Sequence, residues 1–527
     1  MVHHDSFPWL TIIGLIPLGG ALLIALVPAG RDLAVKRIAL LVSLVTLGWT
    51  GVMTAQYDTA KAGYQFAQST DWIKQFGVRY AVGTDGIGLV MILLVTVLVP
   101  VVVLASWHDS HGAPGRERPS SVRTFFVLVL SLETIMIGVF SSTDVFLFYV
   151  FFEAMLIPMY FLIGMFGGQH RSYASIKFLL YSFAGGMLML AALIGLYIQS
   201  VHQFGTGTFN LFALEQLHLS SGLQDWLFLG FFVAFAIKAP LWPLHTWLPD
   251  AGAEAPIGGS VMLVCVLDKV GTFGFLRYCI PLFPDASKTF APYVVALGVV
   301  GVLYGALVAM YQRDWKRLVS YTSVAHFGFI AMGIFAFTSQ GGTGAVLYMV
   351  NHGLSTGALF LVVGFLVARK GHADIPSFGG LAKRAPLLSG LFLLAGLSSL
   401  ALPGLNTFVS EFLVLVGSFT RYRVAAIVAT TGIILAALYV LIAYQRTMHG
   451  PLKAGLEQVK DLDLREIAVI APMLSLIVLL GVYPKPIIDI IKPSVAATYQ
   501  QAHRTDPPPL ATTAANDRTT NQDGAGQ

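Results

Sequence analysis

The sequence predicts an all-α, polytopic membrane protein, and its composition, hydropathy and apolar runs each support this fold class. Of the 527 residues, 56% are hydrophobic and 11% are charged, whereas soluble proteins average about 25% charged residues. The mean hydropathy of +0.74 is typical of a chain whose solvent is mostly lipid. The apolar runs are continuous and do not alternate, which excludes an up-and-down β-barrel.

The apolar runs are numerous enough to predict about fourteen transmembrane helices. A bilayer core about 30 Å thick requires about 20 apolar residues for each spanning helix. The segments that meet this requirement are 9–28, 35–55, 86–107, 123–141, 144–166, 178–201, 226–245, 257–281, 291–311, 317–338, 343–369, 388–418, 424–447 and 467–492. The seventh and twelfth of these segments contain prolines.

The loop cations predict the orientation of the chain in the membrane, because Lys and Arg concentrate on the cytoplasmic side. With the N-terminus outside, 19 cations lie in cytoplasmic loops and 11 on the opposite side. We therefore expect a multi-pass protein of the cell membrane with both termini on the external, periplasmic side. The first apolar run has no Lys or Arg before it, which favours a retained helix over a cleaved signal peptide.

Two proline-containing interruptions predict an internal repeat. Pro240 and Pro243 interrupt the seventh span, and Pro403 with Gly404 interrupts the twelfth. Paired interruptions at corresponding positions are typical of inverted repeats in transporters. Five spans in each block require the second block to be inverted, although two unrelated proline kinks are an alternative. The predicted divisions are a three-helix N-terminal segment (1–122), the first repeat (123–281), the second repeat (291–447), a C-terminal transmembrane helix (448–493) and a disordered tail (494–527).

Ionisable residues at half depth are the main candidate functional residues. A charge at the bilayer centre costs about 3 kcal/mol or more, so such residues mark functional sites. Burial disfavours the charged forms, and groups held near neutrality exchange protons readily. We expect a polar row across the membrane. For each His, an interhelical hydrogen bond is an equally good explanation, and for each Glu or Lys a structural ion pair is the less favoured alternative. The six residues, on six different spans, are Glu153, Lys238, Lys269, His326, His352 and Glu411.

Three further polar residues are secondary candidates: Glu133, His245 and Asp268. Glu133 and Asp268 are equally consistent with a local polar network that has no part in proton transfer. Asp268 immediately precedes Lys269, and neighbouring side chains on a helix point about 100° apart. The sequence leaves open whether these two residues share one site.

Several function classes lack their motifs in this chain. There is no phosphate-binding GxxxxGK[ST] loop, no HExxH zinc motif and no GxSxG nucleophile motif. Two cysteines without a CxxC pair do not support a disulfide framework or a metal centre. The scattered cations form no basic stripe, which disfavours a nucleic-acid partner. We expect no cofactor and no metal to be bound by this chain.

Longer motifs resemble the antiporter-like subunits of respiratory complex I. The first runs from Lys238-Ala-Pro-Leu-Trp-Pro243 through Glu254-Ala-Pro256 to Lys269, and others occupy 143–153, 314–326 and 351–357. Residues 402–406, 410–412 and 481–486 narrow the resemblance to the subunit M branch, the counterpart of mitochondrial chain 4. Two features argue against the L branch of the family. That branch has a long C-terminal lateral helix where a disordered tail is expected here, and it usually has Lys at the position of Glu411. One departure is Gly252, where the family often has His, which leaves a role for a His at that position in doubt.

The resemblance implies a proton-translocating subunit in the membrane arm of NADH-quinone oxidoreductase, a translocase. It implies that Glu153 and Lys238 form a pair, that Lys269 is the central lysine, that His326 and His352 relay protons, and that Glu411 is the exit acid. NADH, FMN, iron–sulfur clusters and quinone are then expected in partner subunits, and the neighbouring L and N chains and membrane lipids as partners. The alternatives are a subunit of a multisubunit cation/proton antiporter, a membrane hydrogenase arm, or a structural anchor.

Overall fold

The computed structural model describes residues 2–5, 7–61, 63–108 and 122–507, which are mostly helical. The helices of this part of the chain are α1 Trp9–Ala25, α2 Asp32–Ala55, α3 Gly86–Ala105, α4 Val122–Ser141, α5 Val145–Ala154, α6 Leu156–Phe166, α7 Arg171–Phe204, α8 Leu211–Leu214, α9 Ser221–Lys238, α10 Trp247–Glu254, α11 Ile257–Leu282, α12 Pro284–Met310, α13 Trp315–Phe335, α14 Ser339–Lys370, α15 Pro386–Ser399, α16 Asn406–Phe419, α17 Arg423–Met448, α18 Leu464–Val482 and α19 Lys485–Gln501.

The all-α membrane fold predicted from the sequence is confirmed, whereas the count of fourteen spans stays a prediction. Within the described residues, eleven helical stretches are long and apolar enough to cross a membrane, and each coincides with a predicted span. The predicted spans 9–28, 226–245 and 388–418 instead hold helices of 14 to 18 residues. Two of these three are the spans that contain the proline interruptions.

The first interruption is confirmed, but the helix stops earlier than the predicted span. Helix α9 ends at Lys238, because Pro240 and Pro243 have no N–H to donate within a helix. Residues 239–246 are unwound, so a helix that continues to 245 is wrong. The indole Nε1 of Trp247 donates to the Ile237 carbonyl oxygen at 2.9 Å. This bond satisfies a carbonyl that the broken helix leaves free.

The second interruption is confirmed as well, because it divides the predicted span 388–418 into α15 and α16. In a membrane, the freed backbone groups must be satisfied within the protein. Asn351 on α14 donates from Nδ2 to the Asn406 carbonyl oxygen at 2.7 Å, and Asn406 Nδ2 donates to the Asn351 carbonyl at 3.2 Å. Ser398 Oγ donates to Asn406 Oδ1 at 2.7 Å. Helices α14 and α15 thus both bond to Asn406, the first residue of α16 after the break.

The C-terminal predictions require two corrections. The predicted span 467–492 is two helices, α18 and α19, separated at Pro484. The predicted start of the disordered tail, at residue 494, is too early, because α19 continues to Gln501 and packs on the bundle. Ser494 Oγ accepts from the Gly86 N–H at 2.9 Å, and the Tyr499 hydroxyl donates to the Ile334 carbonyl at 2.8 Å. The remainder of the expected tail, residues 508–527, lies outside the described residues.

A small sheet, formed by the N-terminal strand and a hairpin between α2 and α3, was not predicted from the sequence. Strand β1 Val2–His4 pairs parallel with β2 Tyr64–Ile73, which pairs antiparallel with β3 Val78–Thr84. Asp71 and Arg79 lie opposite each other in the hairpin and form an ion pair at 3.0 Å. Because these strands lie outside the apolar runs, hydropathy gives no signal for them.

The centre of the bundle is formed by α11, α13 and α14. In their most apolar stretches, 100%, 94% and 94% of the residues are buried, whereas the values for α2 and α17 are 28% and 33%. Helix α11 also contains two π-helical turns, Leu263–Leu267 and Phe275–Cys279. Such turns occur often at functional sites. Polar side chains on these three helices are therefore shielded from lipid.

Candidate functional site

Lys269 and His352 form the central contact of the candidate site. Lys269 follows the first π-helical turn of α11, and its Nζ donates to the Val264 carbonyl oxygen at 2.6 Å. The same Nζ lies 2.6 Å from Nδ1 of His352 on α14 and 5.2 Å from the ring centroid of Phe327. Both side chains are fully buried. An ammonium can only donate, so Nδ1 accepts while Lys269 is protonated.

His326 continues this contact from α13. Its ring centroid lies 5.2 Å from that of His352, with the two rings nearly perpendicular at 86°. His326 Nδ1 and His352 Nε2 are buried and have no hydrogen-bond partner among the described residues. An imidazole can accept a proton on one nitrogen and release one from the other. The two open nitrogens therefore suit a proton path through the bundle.

Tyr348 and Glu411 extend the row to the second broken helix. The Tyr348 hydroxyl donates to Oε2 of Glu411 on α16 at 2.9 Å, and its ring centroid lies 5.7 Å from that of His326. Both residues are buried. The structure thus brings Lys269, His352, His326 and Glu411 together, and it places Tyr348 between the last two.

Tyr348 was missed in the sequence, although a signal for it exists. Tyr348, Asn351, His352 and Ser355 are spaced i, i+3, i+4 and i+7 within one apolar run. This spacing places polar groups on one face of a helix. The pattern is visible without a structure, whereas the hydrogen bond to Glu411 depends on how α14 packs against α16.

Glu153 and Lys238 lie apart from this contact chain. Lys238 Nζ is buried without a hydrogen-bond partner among the described residues, where it lies 5.3 and 5.2 Å from the ring centroids of Phe152 and Phe178. Glu153 Oε1 likewise has no partner among the described residues, so the predicted Glu153–Lys238 pair is not joined by a hydrogen bond through these atoms in this structure. Glu153 Oε1 lies against Gly186 of α7, where an added Cβ would overlap it.

The three secondary candidates are all buried with polar atoms that have no hydrogen-bond partner among the described residues. Glu133 on α4 and Asp268 on α11 have two such carboxylate oxygens each, and His245 has two such ring nitrogens. His245 lies in the unwound segment after α9, with its ring centroid 5.0 Å from that of Tyr304. Within the described ranges, no group of three His, Cys, Asp or Glu residues is arranged to hold a metal ion.

An ion-pair cluster at one end of the bundle joins the two predicted repeats. Asp250 on α10 accepts from Lys177 Nζ on α7 at 2.7 Å and from Arg317 on α13 at 2.6 Å. Asp250 belongs to the motif that carried the family resemblance. Its two partners show that this acid connects α7, in the first predicted repeat, with α13, in the second, and that it lies outside the central row.

Comparisons with known proteins agree with this geometry. Residues 142–456, which contain all six residues of the predicted row, match the family model described as NADH:quinone oxidoreductase/Mrp antiporter, TM. The chain is 46% identical to NADH-quinone oxidoreductase subunit M of Mycobacterium tuberculosis (strain CDC 1551 / Oshkosh), covering 96% of each protein. It is 41% identical to the Rhodobacter capsulatus subunit M, covering 94% of this chain and 97% of that protein.

A solved structure gives the same result. A chain of respiratory complex I from Thermus thermophilus with bound NADH superimposes with a TM-score of 0.84 and is 32% identical, covering 94% of this chain and 99% of that chain. Fold, motifs and full-length similarity therefore agree. The chain belongs to the subunit M family of NADH-quinone oxidoreductase, among the antiporter-like membrane subunits of respiratory complex I.

Proposed function

We propose that this chain translocates protons as a subunit of the membrane arm of NADH-quinone oxidoreductase. The observation that carries this proposal is the buried series of contacts Lys269–His352–His326–Tyr348–Glu411 across the central helices. Nearly full-length similarity to subunit M supports the assignment to this enzyme. The chain contributes the proton path, and NADH-to-quinone electron transfer in other subunits provides the energy.

In the proposed mechanism, Glu153 and Lys238 take up the proton. While Glu153 is ionised and close, its charge stabilises the Lys238 ammonium, whose Nζ also lies 5.3 and 5.2 Å from the ring centroids of Phe152 and Phe178. A charge change in the neighbouring subunit moves Glu153 away, and Lys238 then releases its proton towards Lys269. A buried ammonium without hydrogen bonds is sensitive to the loss of its counter-charge.

The second half of the path runs from Lys269 to Glu411. The Lys269 Nζ–H proton passes to His352 Nδ1, and the two imidazoles carry it on. Tyr348 links His326 to Glu411, because a hydroxyl can accept on one side while it donates on the other. Glu411 on the broken helix α16 then releases the proton to the far side of the membrane.

We further propose that the L and N chains are the neighbouring subunits, with NADH, FMN, iron–sulfur clusters and quinone bound elsewhere in the complex. This chain contributes charge coupling along the membrane arm. The main alternative is a subunit of a cation/proton antiporter, since the matching family model covers both classes. The 46% identity to a subunit M favours a function in NADH-quinone oxidoreductase over one in a cation/proton antiporter.

Co-purification tests this assignment directly. An affinity tag on this chain is expected to recover, in mild detergent, an assembly that oxidises NADH and reduces quinone and that contains the L and N chains. An untagged strain serves as the control for background binding. Recovery of antiporter chains without NADH oxidation would reject the complex I assignment and leave the antiporter function.

The proposed topology places both termini outside the cell. It rests on the excess of Lys and Arg in the loops on the other side of the membrane from the termini, and on an even number of spans. A Cys introduced at Thr512 is expected to react with a membrane-impermeant maleimide in intact cells. Reaction only after lysis would mean that the orientation or the number of spans is wrong.

A further inference from the structure

Asp268 is a buried acid that the path described above does not use. It lies on α11 directly after the π-helical turn Leu263–Leu267 and is fully buried. Neither carboxylate oxygen has a hydrogen-bond partner among the described residues. A buried carboxylate without partners is strongly disfavoured unless nearby charges, water or a proton stabilise it. Its surroundings therefore need an explanation.

The packing of α11 shows which helix Asp268 faces. Three residues further on, Gly271 packs so closely on the end of α9 that an added Cβ would overlap the Phe235 carbonyl oxygen and the Ala239 nitrogen. Residues three apart share one face of a helix, so Asp268 faces the end of α9. That end is where Lys238 lies.

Lys269 faces the other way. It follows Asp268 directly, is turned by about 100° on the helix, and contacts His352 on α14. Asp268 therefore lies between the two buried lysines, and its charge interacts electrostatically with both of them. With Glu153, two acids and two lysines occupy this part of the bundle, which balances the buried charge.

We propose that Asp268 carries the proton from Lys238 to Lys269, an inference that rests on the proposed proton-pumping function. An Nζ–H bond of Lys238 breaks, and the proton passes through a bridging water to form an O–H bond on the Asp268 carboxylate. That O–H bond then breaks, and the proton forms an N–H bond on neutral Lys269. One proton moves, Lys238 ends neutral, Lys269 ends protonated, and no electrons are transferred. The step connects the α9 face of α11 to its α14 face.

Asp268→Asn in the intact complex, reconstituted in liposomes, tests the inference. NADH-driven acidification is expected to fall roughly 100-fold, within the range of a positioned proton-transfer group, because Asn keeps the shape but cannot carry the proton. Asp268→Glu retains a carboxylate and is expected to restore most of the rate. Thr272→Val is the matched control, since it removes a buried hydroxyl of the same helix whose one hydrogen bond among the described residues goes to the Lys269 carbonyl oxygen at 3.0 Å.

Infrared difference spectroscopy separates a proton carrier from a fixed counter-ion. During turnover, the C=O stretch of a protonated carboxylic acid is expected to appear, and to be lost in Asp268→Asn. If turnover produces no such band, or if Asp268→Asn pumps normally, the inference is overturned. If Asp268→Asn pumps normally but Lys269→Ala does not, the role of Asp268 is rejected and the proposed pumping function stands. When both pump normally, the proposed function fails as well.

Discussion

Replacing Lys269 with Ala is expected to leave the complex assembled and to abolish most NADH-driven proton pumping and the coupled quinone reduction. The fully buried Nζ contacts the Val264 carbonyl, His352 and the Phe327 ring inside the bundle, so the substitution leaves the surface of the chain unchanged. A positioned proton-transfer group contributes about 100-fold to 10,000-fold. We therefore expect a loss of at least about 100-fold, measured with a pH-sensitive dye in liposomes.

Two further variants make this test specific. Lys269→Arg keeps the positive charge but holds its proton, so it is also expected to fail if Lys269 must release a proton. Lys316→Ala removes another buried lysine, whose Nζ bonds the Ala255 carbonyl, and is expected to retain pumping per assembled complex. Normal acidification at normal turnover in Lys269→Ala would contradict the relay.

Tyr348→Phe removes the hydrogen bond to Glu411. It is expected to slow proton pumping, but less strongly than Lys269→Ala does.

Glu153→Gln and Lys238→Met are expected to act as one unit. Each single change should strongly lower the pumping rate, and the double change should cost little more than either alone, because the first removes the interaction that the second would lose. Residues that interact directly typically show coupling energies of about 0.5–3 kcal/mol. The measurement is the pumping rate of the two single variants and the double variant in reconstituted vesicles.

Glu411→Gln provides the comparison for this pair. Glu411 lies on α16 at the other end of the row, bonded to Tyr348. Combined with Glu153→Gln, its effect is expected to be more nearly independent, as is usual for distant sites. If the losses from Glu153→Gln and Lys238→Met simply multiply, the two residues do not act as a pair and the proposed uptake step is wrong.

Much of the candidate site could be read from the sequence, because lipid makes polar residues conspicuous. Lys269, His352, His326 and Glu411 are predicted from their depth in apolar runs, and the structure places them in one connected group. Tyr348 was not predicted in this way. A tyrosine is amphipathic, so its burial within a span lacks the large free-energy cost that marks a buried charge as functional. The relative position of Glu153 and Lys238 depends on helix packing, which no local pattern encodes.

The sequence by itself determined the membrane class, the position of most helices and the two breaks, because these follow from the cost of exposing polar groups to lipid and from proline's missing N–H. It did not determine where the helices end. Helix α19 continues to Gln501, where Ser494 accepts from the Gly86 N–H and Tyr499 donates to the Ile334 carbonyl, both in distant parts of the chain. Nor did it determine that Asp268 faces α9. That direction follows from the close packing of Gly271 on α9, a long-range contact that only the tertiary structure decided.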